Sequence, residues 1–431
     1  MSFPNVSLFP YTTEVSPQGN LVVGGCDVME LAAEFGTPLY VFDEVTLRGK
    51  CREFVEGFRE RYPNSTVIYA CKAFINIALA QLLKEEGMGL DVVSGGELAV
   101  AQRVDFPSGK IYFHGNNKSR EELEMALEYS IGRVVVDNFH EMEILGEIAS
   151  QRGVVQDVLL RISPGVDPHT HVHTTTGVLD SKFGFPIETG QAREAVEKTM
   201  KVKNINLIGL HFHLGSPIFE LGPYTKGMEV TLDFASQVGL PLREVSPGGG
   251  FAIAYTRDQQ PPSVEEYADA IASPLQGLQG PDSPHLVVEP GRAIVGRAGV
   301  ALYSVGATKD IPGVRKYVSV DGGMGDNIRP ALYQAEYEAV IANKMVQDEW
   351  EMVSIAGKFC ESGDVLLRDV LFPRLEPGDI LAIPASGAYA PSMASNYNLV
   401  PRPAIVMVKD GHARLIRRRE TYEDLMRNDL R

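Results

Sequence analysis

A lysine stands directly after the apolar run Thr66–Cys71, and a helix-like stretch begins just beyond it at Asn76. This pattern predicts that Lys72 lies at the carboxyl end of a strand, where a parallel α/β fold carries its chemistry. An ammonium group that is removed from water loses its proton easily and becomes a nucleophile for carbonyl groups. Taken alone, Lys72 is also consistent with a solvated loop residue, so the residues that gather around it decide its role.

Eight short runs rich in Val, Ile and Leu alternate with helix-like stretches in the first two thirds of the chain. Such runs are typical of buried parallel strands, and eight β-then-α units favour a (β/α)8 TIM-like barrel over a doubly wound sheet. The predicted strands are Thr66–Cys71, Leu90–Val93, Ile111–Phe113, Val134–Val136, Val158–Ile162, Leu207–Phe212, Leu242–Ser246 and Leu286–Val288. The predicted helices include Asn76–Glu86, Glu121–Tyr129 (opened by the capping box Ser119–Glu122), Ala192–Met200 and Val264–Ile271.

Polar or glycine residues follow nearly every one of these strands. In a (β/α)8 barrel the carboxyl ends of the strands converge on one pocket, so we expect these residues to lie together. They are Lys72, Asp91, Ser94, Glu97, His114, Asn116, Asp137, Arg161, Ser163, His211, His213, Ser216, Gly248, Gly249, Gly250, Glu289 and Arg292.

Several of these groups allow two interpretations. The three glycines of Ser246–Phe251 can present successive N–H groups to an anion such as a phosphate, or can form a plain flexible turn. Glu289 and Arg292 can serve the reaction, or can form a simple salt bridge. Cys360 stands beside acidic residues, but a lone cysteine can equally be a small buried hydrophobe.

Two series of histidines alternate along the chain, and alternation on a strand points imidazoles to one face. Such an arrangement suits a metal-dependent barrel hydrolase. We expect no metal, because the second series is followed by glycine and serine rather than by a third ligand, and an imidazole can also stack on a ring. The histidines are His169, His171, His173, His211 and His213.

After Arg292 the alternation of strand-like and helix-like stretches gives way to closely spaced strand-like runs separated by Gly and Pro turns. This pattern predicts a second, antiparallel β-barrel or β-sandwich domain, with which Leu21–Val23 and Leu39–Phe42 could pair. We expect a barrel domain over residues 45–298 and a β domain formed by residues 1–44 and 299–431. The predicted C-terminal strands are Val300–Val305, Lys316–Val320, Tyr337–Ile341, Glu351–Ile355, Asp379–Ile383, Ala404–Val408 and Ala413–Ile416.

Composition excludes several classes of function. The 431 residues carry a formal net charge of -16, which argues against unaided binding to nucleic acid or anionic membranes. No apolar run approaches the roughly 18 residues of a membrane span, and the N-terminus has no signal-peptide pattern. The four cysteines are scattered without a Cys-x-x-Cys pair, which predicts reduced thiols and a cytoplasmic protein.

The motifs resemble those of the fold-type III pyridoxal-phosphate decarboxylases, and within that family the diaminopimelate decarboxylases. They run in the family's order over nearly the whole chain, and together they are highly specific although each alone is weak. They are Tyr69-Ala-Cys-Lys72, Leu90-Asp-Val-Val-Ser-Gly-Gly-Glu97, His114-Gly-Asn-Asn-Lys-Ser119, Arg161-Ile-Ser-Pro-Gly-Val-Asp-Pro-His-Thr-His171, Ser181-Lys-Phe-Gly184, Gly209-Leu-His-Phe-His-Leu-Gly-Ser216, Gly248-Gly-Gly250, Glu289-Pro-Gly-Arg292, Cys360-Glu-Ser-Gly-Asp364 and Gly387-Ala-Tyr389.

The resemblance implies pyridoxal 5'-phosphate as the cofactor and an amino acid as the substrate. Lys72 would hold the cofactor as a Schiff base, and His213 would stack on its pyridine ring. The cofactor-binding residues it implies are Lys72, Asp91, Glu97, Arg161, His213, Ser216, Gly248, Gly249, Gly250, Glu289, Gly291, Arg292 and Tyr389. The substrate-binding residues it implies are Arg292, Arg329, Tyr333, Glu361 and Tyr389.

The resemblance implies that Glu289 selects the type of reaction. Loss of CO2 from an amino acid leaves a carbanion that needs an electron sink. A carboxylate favours the protonated pyridine nitrogen and deepens that sink, whereas alanine racemases of this fold class have an arginine here. The sequence therefore favours decarboxylation over racemisation.

The resemblance also implies a homodimer with shared active sites, in which Cys360 and Glu361 reach into the partner's pocket. Cys360 would donate a proton to the carbanion. Glu361 would suit the distal head of meso-2,6-diaminopimelate, with Arg329 for its second carboxylate, and the products would be L-lysine and CO2. The alternative is an ornithine or arginine decarboxylase of the polyamine pathway, whose motif carries an aspartate after the cysteine.

Overall fold

The computed structural model describes residues 3, 5–167, 181–278, 283–347 and 349–430. The chain forms two compact units. The barrel unit consists of Cys51–Ala252 and Pro261–Gly291, and the β unit consists of Met1–Lys50, Ile253–Gln260 and Arg292–Arg431.

Strands and helices alternate in the barrel unit, whereas strands predominate in the β unit. The strands are β1 (Glu14–Val15), β2 (Leu21–Val23), β3 (Cys26–Asp27), β4 (Leu39–Asp43), β5 (Ser65–Ala70), β6 (Gly89–Val92), β7 (Ile111–Phe113), β8 (Arg133–Val136), β9 (Gln156–Ser163), β10 (Phe185–Pro186), β11 (Ile205–His211), β12 (Glu244–Ser246), β13 (His285–Val288), β14 (Gly299–Ile311), β15 (Arg315–Val320), β16 (Val340–Ile341), β17 (Trp350–Ala356), β18 (Val365–Pro373), β19 (Ile380–Ile383), β20 (Ala404–Lys409) and β21 (His412–Arg417). The helices are α1 (Val28–Phe35), α2 (Glu44–Arg61), α3 (Ile77–Glu85), α4 (Gly95–Arg103), α5 (Arg120–Glu128), α6 (Phe139–Arg152), α7 (Gln191–Thr199), α8 (Gly222–Gln237), α9 (Val264–Ala272), α10 (Arg292–Val295), α11 (Arg329–Tyr333), α12 (Ala390–Met393) and α13 (Tyr422–Met426). Within the described ranges, every helix is too short or too polar to cross a lipid bilayer.

Eight parallel strands close the barrel in the order β5, β6, β7, β8, β9, β11, β12, β13 and back to β5. All eight predicted barrel strands are present, and the predicted (β/α)8 fold class is confirmed. One buried cluster takes a side chain from each of five strands, because alternate residues of a barrel strand point inward. Its members are Ile68, Tyr112, Val135, Leu159 and Val287.

Polar caps determine where the loops after the strands end and the helices begin. The side chains of Asn76, Ser94, Ser119 and Asn138 each accept a hydrogen bond from the third backbone N–H of the following helix. In α5, Glu122 also bonds the N–H of Ser119, which confirms the predicted capping box. Each cap contributes about 1 kcal/mol to the stability of the fold. The caps also fix the conformation of the short loops that contain the polar residues.

The β unit contains a sheet in the order β18, β17, β15, β14, β4, β20, β21, in which β19 pairs with β14 and β16. Most of its pairings are antiparallel, as expected for the predicted β domain, whereas β15–β17 and β4–β20 are parallel. The N-terminal strand β4 lies in the middle of this sheet, between β14 and β20. A separate three-stranded sheet is formed by β1, β2 and β3.

Two details of the β unit differ from the sequence prediction. The strand β18 was not predicted, because exposed Arg368 and Asp369 interrupt its apolar alternation. Asp369 has a φ of 50°, and the register of the β17–β18 pair shifts along its length. The predicted strand Tyr337–Ile341 is paired only at Val340–Ile341, so Tyr337 lies in the segment before β16.

Candidate active site

Lys72 lies on a tight 3-10 turn, Cys71–Ala73, that follows β5 directly. The backbone N–H of Ala70 donates a 3.1 Å hydrogen bond to the carbonyl of Pro290, which ties this turn to the segment after β13. A Cβ on Gly291 would come within 3.0 Å of the Ala70 carbonyl oxygen, so the close approach favours glycine there. Lys72 lies at the carboxyl end of its strand, as predicted, and its side chain is exposed in the structure. A cofactor contact of Gly291 stays a prediction.

A buried polar cluster surrounds the carboxylate of Glu289. Its Oε1 accepts a 2.8 Å hydrogen bond from the Ser246 hydroxyl, and its Oε2 lies 3.2 Å from Nε2 of His211. Nε2 of His114 lies 3.5 Å from Glu289 Oε1 and 3.7 Å from Oδ1 of Asp91. All five side chains are buried, and they come from five different strands or strand ends. The structure thus brings together residues that the sequence placed at separate strand ends.

Glu289 is the charged member of this cluster. Burial raises its pKa, but the neighbouring imidazoles of His211 and His114 and the hydrogen bonds from His211 and Ser246 more than offset burial, so its pKa lies below the ordinary value. Burial holds the pKa of His114 well below 6.5, so this imidazole is neutral at pH 7. We therefore ascribe the charge on Glu289 mainly to His211 and Ser246, the two side chains that contact its carboxylate directly. Burial and the Glu289 charge raise the pKa of Asp91 well above 3.8, so Asp91 takes up a proton more readily.

The charge of Lys72 acts on three neighbours in the barrel unit. It lowers the pKa of Asp91 and Glu97 against the stronger raising effect of burial, which leaves the pKa of Glu97 at about 7. The Glu97 carboxylate also accepts a 2.7 Å hydrogen bond from the N–H of Val93. Burial and Lys72 hold the pKa of His213 well below 6.5. The Lys72 side chain therefore lies within electrostatic range of Asp91, Glu97 and His213.

The glycines after β12 form a tight loop. Gly248 has a φ of 73°, a value that favours glycine, and a Cβ on Gly249 would lie 2.1 Å from the carbonyl oxygen of Glu289. The N–H of Gly248 donates to Ser246 Oγ at 3.1 Å, and the N–H of Gly249 donates to Nδ1 of His213 at 3.3 Å. These two N–H groups therefore orient Ser246 and His213 rather than facing an anion. Phosphate binding by this loop stays a prediction.

His213 and Ser216 stand on the loop after β11, and both are partly buried. Because the His213 ring is neutral and accepts a hydrogen bond through Nδ1, its remaining proton lies on Nε2. A neutral imidazole near an exposed lysine suits stacking on an aromatic ring.

Arg161 is buried near the end of β9. Its guanidinium carbon lies 4.2 Å from the ring centre of Phe183, and its Nε lies 3.8 Å from Oδ2 of Asp137. The N–H of Gly184 donates a 2.9 Å hydrogen bond to Oδ1 of Asp137. The described part of the Ser181–Gly184 motif thus positions the acid that pairs with Arg161. His169, His171 and His173 lie outside the described residues.

In the β unit, buried Arg292 contacts two tyrosines. Its Nη1 donates a 2.5 Å hydrogen bond to the Tyr255 hydroxyl, and its guanidinium carbon lies 4.8 Å from the ring centre of Tyr389. Tyr389 has a φ of 65°, in the left-handed region that bulky side chains rarely adopt. Such strain persists where the surrounding structure enforces it, often at functional sites.

Arg329 lies in the same cluster of the β unit and is also buried. Its Nη1 donates a hydrogen bond to the Tyr337 hydroxyl, and its guanidinium carbon lies 4.5 Å from the ring centre of Tyr255. Burial raises the pKa of Tyr255, but the guanidinium groups of Arg292 and Arg329 lower it by more. Tyr333, at the other end of α11, is partly exposed.

Cys360 and Glu361 lie on an exposed loop between β17 and β18. The hydroxyl of Tyr397 donates a 2.6 Å hydrogen bond to Oε1 of Glu361. Asp364 is buried at the end of the loop and accepts a 2.8 Å hydrogen bond from the N–H of Phe359. The buried Asp364 thus fixes the backbone of the loop, while Cys360 and Glu361 are exposed to solvent.

Asp326 precedes α11 and is buried. The N–H of Gly323 donates to its Oδ1 at 3.2 Å, and the Tyr40 hydroxyl donates to its backbone carbonyl at 2.6 Å. Burial raises the pKa of Asp326 from 3.8 to about 7. The segment just before α11, which carries Arg329, therefore contains a buried carboxyl group with a pKa of about 7.

We expect the β unit to lose stability as the pH rises from about 4 to about 7, because the folded state binds the Asp326 proton more tightly than the unfolded chain does. The loss should approach about 4 kcal/mol in the free energy of unfolding and level off above pH 7. The fluorescence of Trp350, the single tryptophan, can follow urea unfolding of this unit across the pH range. Asp326→Asn should remove most of the slope, and an unchanged slope in that variant would contradict the assignment.

Residues 48–296 match the family model of the pyridoxal-dependent decarboxylases, pyridoxal binding domain. The diaminopimelate decarboxylase of Bacillus subtilis is 47% identical over 426 residues, which cover 97% of this chain and 97% of that protein. The diaminopimelate decarboxylase of Synechocystis is 44% identical over 441 residues, which cover 99% of this chain and 93% of that protein. The chain belongs to the diaminopimelate decarboxylase family.

A solved structure of a family member supports the same conclusion. The crystal structure of diaminopimelate decarboxylase from M. jannaschii in complex with L-lysine has a TM-score of 0.92 and 39% identity, over 97% of this chain and 98% of that chain. A lysine/ornithine decarboxylase from Vibrio vulnificus, with a TM-score of 0.76 and 24% identity, shares the fold. Membership of this family makes pyridoxal 5'-phosphate the cofactor.

The residues of the barrel unit fit this cofactor. A buried, ionised carboxylate such as Glu289 suits a protonated ring nitrogen. Oδ1 of Asp91 and Nδ1 of His211 are buried without a hydrogen-bond partner among the described residues, so they can bind polar groups of a ligand. Lys72 is exposed and offers its amine to a carbonyl group.

The described residues contain one group that could hold a metal ion, and it is not the histidine series considered from the sequence. His114, His211 and Glu289 each place one ligand atom within 4.8 Å of the others, and His213 is not part of this group. The family match gives a metal-dependent hydrolase no support, because the matched family is pyridoxal-dependent.

Sequence reasoning missed two residues of the β unit, Tyr255 and Tyr337. Tyr255 follows the glycine loop by only a few residues, but no motif marks it. Tyr337 was assigned to a strand. Both contact Arg329, and only the structure shows that these separated segments meet.

Proposed function

We propose that this chain catalyses the pyridoxal-phosphate-dependent decarboxylation of meso-2,6-diaminopimelate to L-lysine and CO2, the last step of lysine biosynthesis. The observation that carries the proposal is the buried, ionised carboxylate of Glu289 among the barrel strand ends. The names of the family members to which the chain is similar support the choice of substrate.

Pyridoxal phosphate, when bound, supplies an electron sink for the bonding pair that stays behind as CO2 leaves. Glu289 would hold a proton at the ring nitrogen, because a neighbouring negative charge favours the charged form of that nitrogen. Ser246 and His211 keep the Glu289 carboxylate in place. Lys72 would hold the cofactor covalently through its Nζ atom, and the neutral imidazole of His213 would stack on its ring.

We assign recognition of the substrate's distal head to the β unit. Arg329 is 6% exposed, and among the described residues its side-chain partners are tyrosines rather than carboxylates. An unpaired charge in a protein interior costs several kcal/mol, so an anionic group of the ligand is expected beside it. Arg292, Tyr333 and Tyr389 complete the proposed set of substrate contacts.

We propose that the active form is a homodimer and that Cys360 and Glu361 act in the partner's active site. Both residues are exposed on the isolated protomer. A general acid that protonates a carbanion works best where water is excluded, and burial against a second protomer would supply that exclusion. Sγ of Cys360 would deliver the proton to the carbon that lost CO2. Glu361 would bind the distal ammonium of the substrate.

We expect the purified protein with pyridoxal phosphate to release CO2 from meso-2,6-diaminopimelate about 100-fold faster or more, in kcat/KM, than from ornithine, arginine or lysine. The reason is that a substrate without the distal carboxylate or ammonium leaves Arg329 or Glu361 uncompensated. CO2 release from a panel of the four amino acids measures this directly. Equal rates, or faster release from ornithine or arginine, would replace the proposal by a polyamine-pathway decarboxylase.

A further inference from the structure

Two tyrosines that the proposed mechanism does not use contact the guanidinium groups of Arg292 and Arg329. The Tyr255 hydroxyl accepts a 2.5 Å hydrogen bond from Arg292 Nη1, while its ring centre lies 4.5 Å from the Arg329 guanidinium carbon. The Tyr337 hydroxyl accepts a hydrogen bond from Arg329 Nη1. The two tyrosine rings meet edge to face, 5.2 Å apart with 82° between their planes. All four side chains are buried.

These contacts orient Arg329 without neutralising it. The described residues place no carboxylate within salt-bridge distance of this guanidinium, and Tyr337 supplies a hydroxyl oxygen to one of its nitrogen atoms. A guanidinium has five N–H donors in a planar fork, so bonds to the two tyrosine oxygens leave further donors for a carboxylate. The ring of Tyr255 lies over the guanidinium and restricts its rotation.

We infer that Tyr255 and Tyr337 are positioning residues that hold Arg329 ready for the carboxylate at the distal end of the substrate. The inference rests on the proposed function and deepens it. Since Tyr255 contacts both arginines, one side chain sets the spacing of the two guanidinium groups. A ligand with a distal carboxylate meets a preorganised receptor, whereas a ligand without it leaves a buried charge unpaired.

A pair of ligands isolates this contribution. L-Lysine, the product, keeps the carboxylate of the substrate's distal head, and cadaverine is the same molecule with that carboxylate replaced by hydrogen. The ratio of their dissociation constants on the holoenzyme therefore reports recognition of the carboxylate without any turnover. Binding can be followed by calorimetry or by the change in cofactor absorbance.

Tyr337→Phe keeps the ring and removes the hydroxyl that bonds Arg329. We expect it to weaken L-lysine binding about tenfold, the order for a lost hydrogen bond to a charged group, and to leave cadaverine binding within about twofold. Tyr255→Phe should also weaken L-lysine binding more than cadaverine binding, because the Tyr255 hydroxyl bonds both Arg292 and Arg329. The ring over Arg329 is kept in this variant. Tyr129→Phe is the matched control, since its hydroxyl donates to the carbonyl of Phe106 in the barrel unit.

Three outcomes would overturn the inference. Equal weakening of both ligands would show a general distortion, and unchanged binding of both in the two variants would remove any positioning role. Weaker binding of pyridoxal phosphate with an unchanged ligand ratio would assign the cluster to the cofactor phosphate. Failure of the proposed function is distinguishable, because the wild-type protein would then release no CO2 from diaminopimelate.

Discussion

A Lys72→Ala protein and a Cys360→Ala protein are each expected to be nearly inactive, whereas a mixture that exchanges protomers recovers about a quarter of the wild-type activity. The reason is that each proposed active site takes Lys72 from one protomer and Cys360 from the other. Half of the dimers in a random mixture are mixed, and in each of these one site has both residues. CO2 release from diaminopimelate before and after mixing measures the effect.

Two controls make the mixing result specific. Cys360→Ala should keep the covalent cofactor, detected by mass spectrometry after borohydride reduction, while Lys72→Ala should lose it. A mixture of Lys72→Ala with Lys72→Arg should recover nothing, because no site then contains the lysine. If verified mixed dimers stay inactive, Cys360 does not act across the interface.

Replacing Glu289 by glutamine is expected to lower kcat for decarboxylation by about 100-fold or more, the order seen when one preorganised charge stabiliser is removed. The amide keeps the shape of the carboxylate and can still accept the hydrogen bond from Ser246, but it carries no charge to hold the ring nitrogen protonated. KM should change little, because Glu289 is not among the proposed substrate contacts. Steady-state rates over a range of diaminopimelate concentrations separate the two parameters.

Ser246→Ala is the matched control for the Glu289 variant. It removes a neutral hydrogen bond to the same carboxylate and leaves the charge, so it should cost less than about tenfold in kcat. A Glu289→Gln protein that retained more than a tenth of the wild-type kcat would show that the carboxylate is not what deepens the electron sink.

The barrel strands, and the place of many polar residues at their ends, could be predicted because the sequence signal for each lies within a few neighbouring residues. Each strand is a short apolar run, and the chemistry follows it within a few residues, as Lys72 follows β5. The convergence of His114, His211 and Glu289 then follows from barrel closure alone. Their hydrogen bonds and protonation states did not follow, because these depend on distances between strands that are far apart in sequence.

The cluster around Arg329 could not be predicted for a related reason. Tyr255 and Tyr337 carry no motif, and they meet only through the tertiary fold. The left-handed backbone of Tyr389 is equally hidden, because nothing in Gly387–Tyr389 signals that a tyrosine rather than a glycine will adopt it. Strand β18 was missed where charged residues interrupt its pattern.

The central place of β4 in its sheet has a consequence for biosynthesis. This apolar strand leaves the ribosome long before its neighbours β14 and β20 are made. The barrel unit lies between β4 and β14 in the chain and can fold first. Until β14 and β20 are made, the backbone groups of β4 are unpaired, and its apolar side chains, which are buried in the folded protein, are in contact with solvent. The nascent chain is therefore prone to aggregation through β4, and that hazard ends when β14 and β20 have emerged and paired with it.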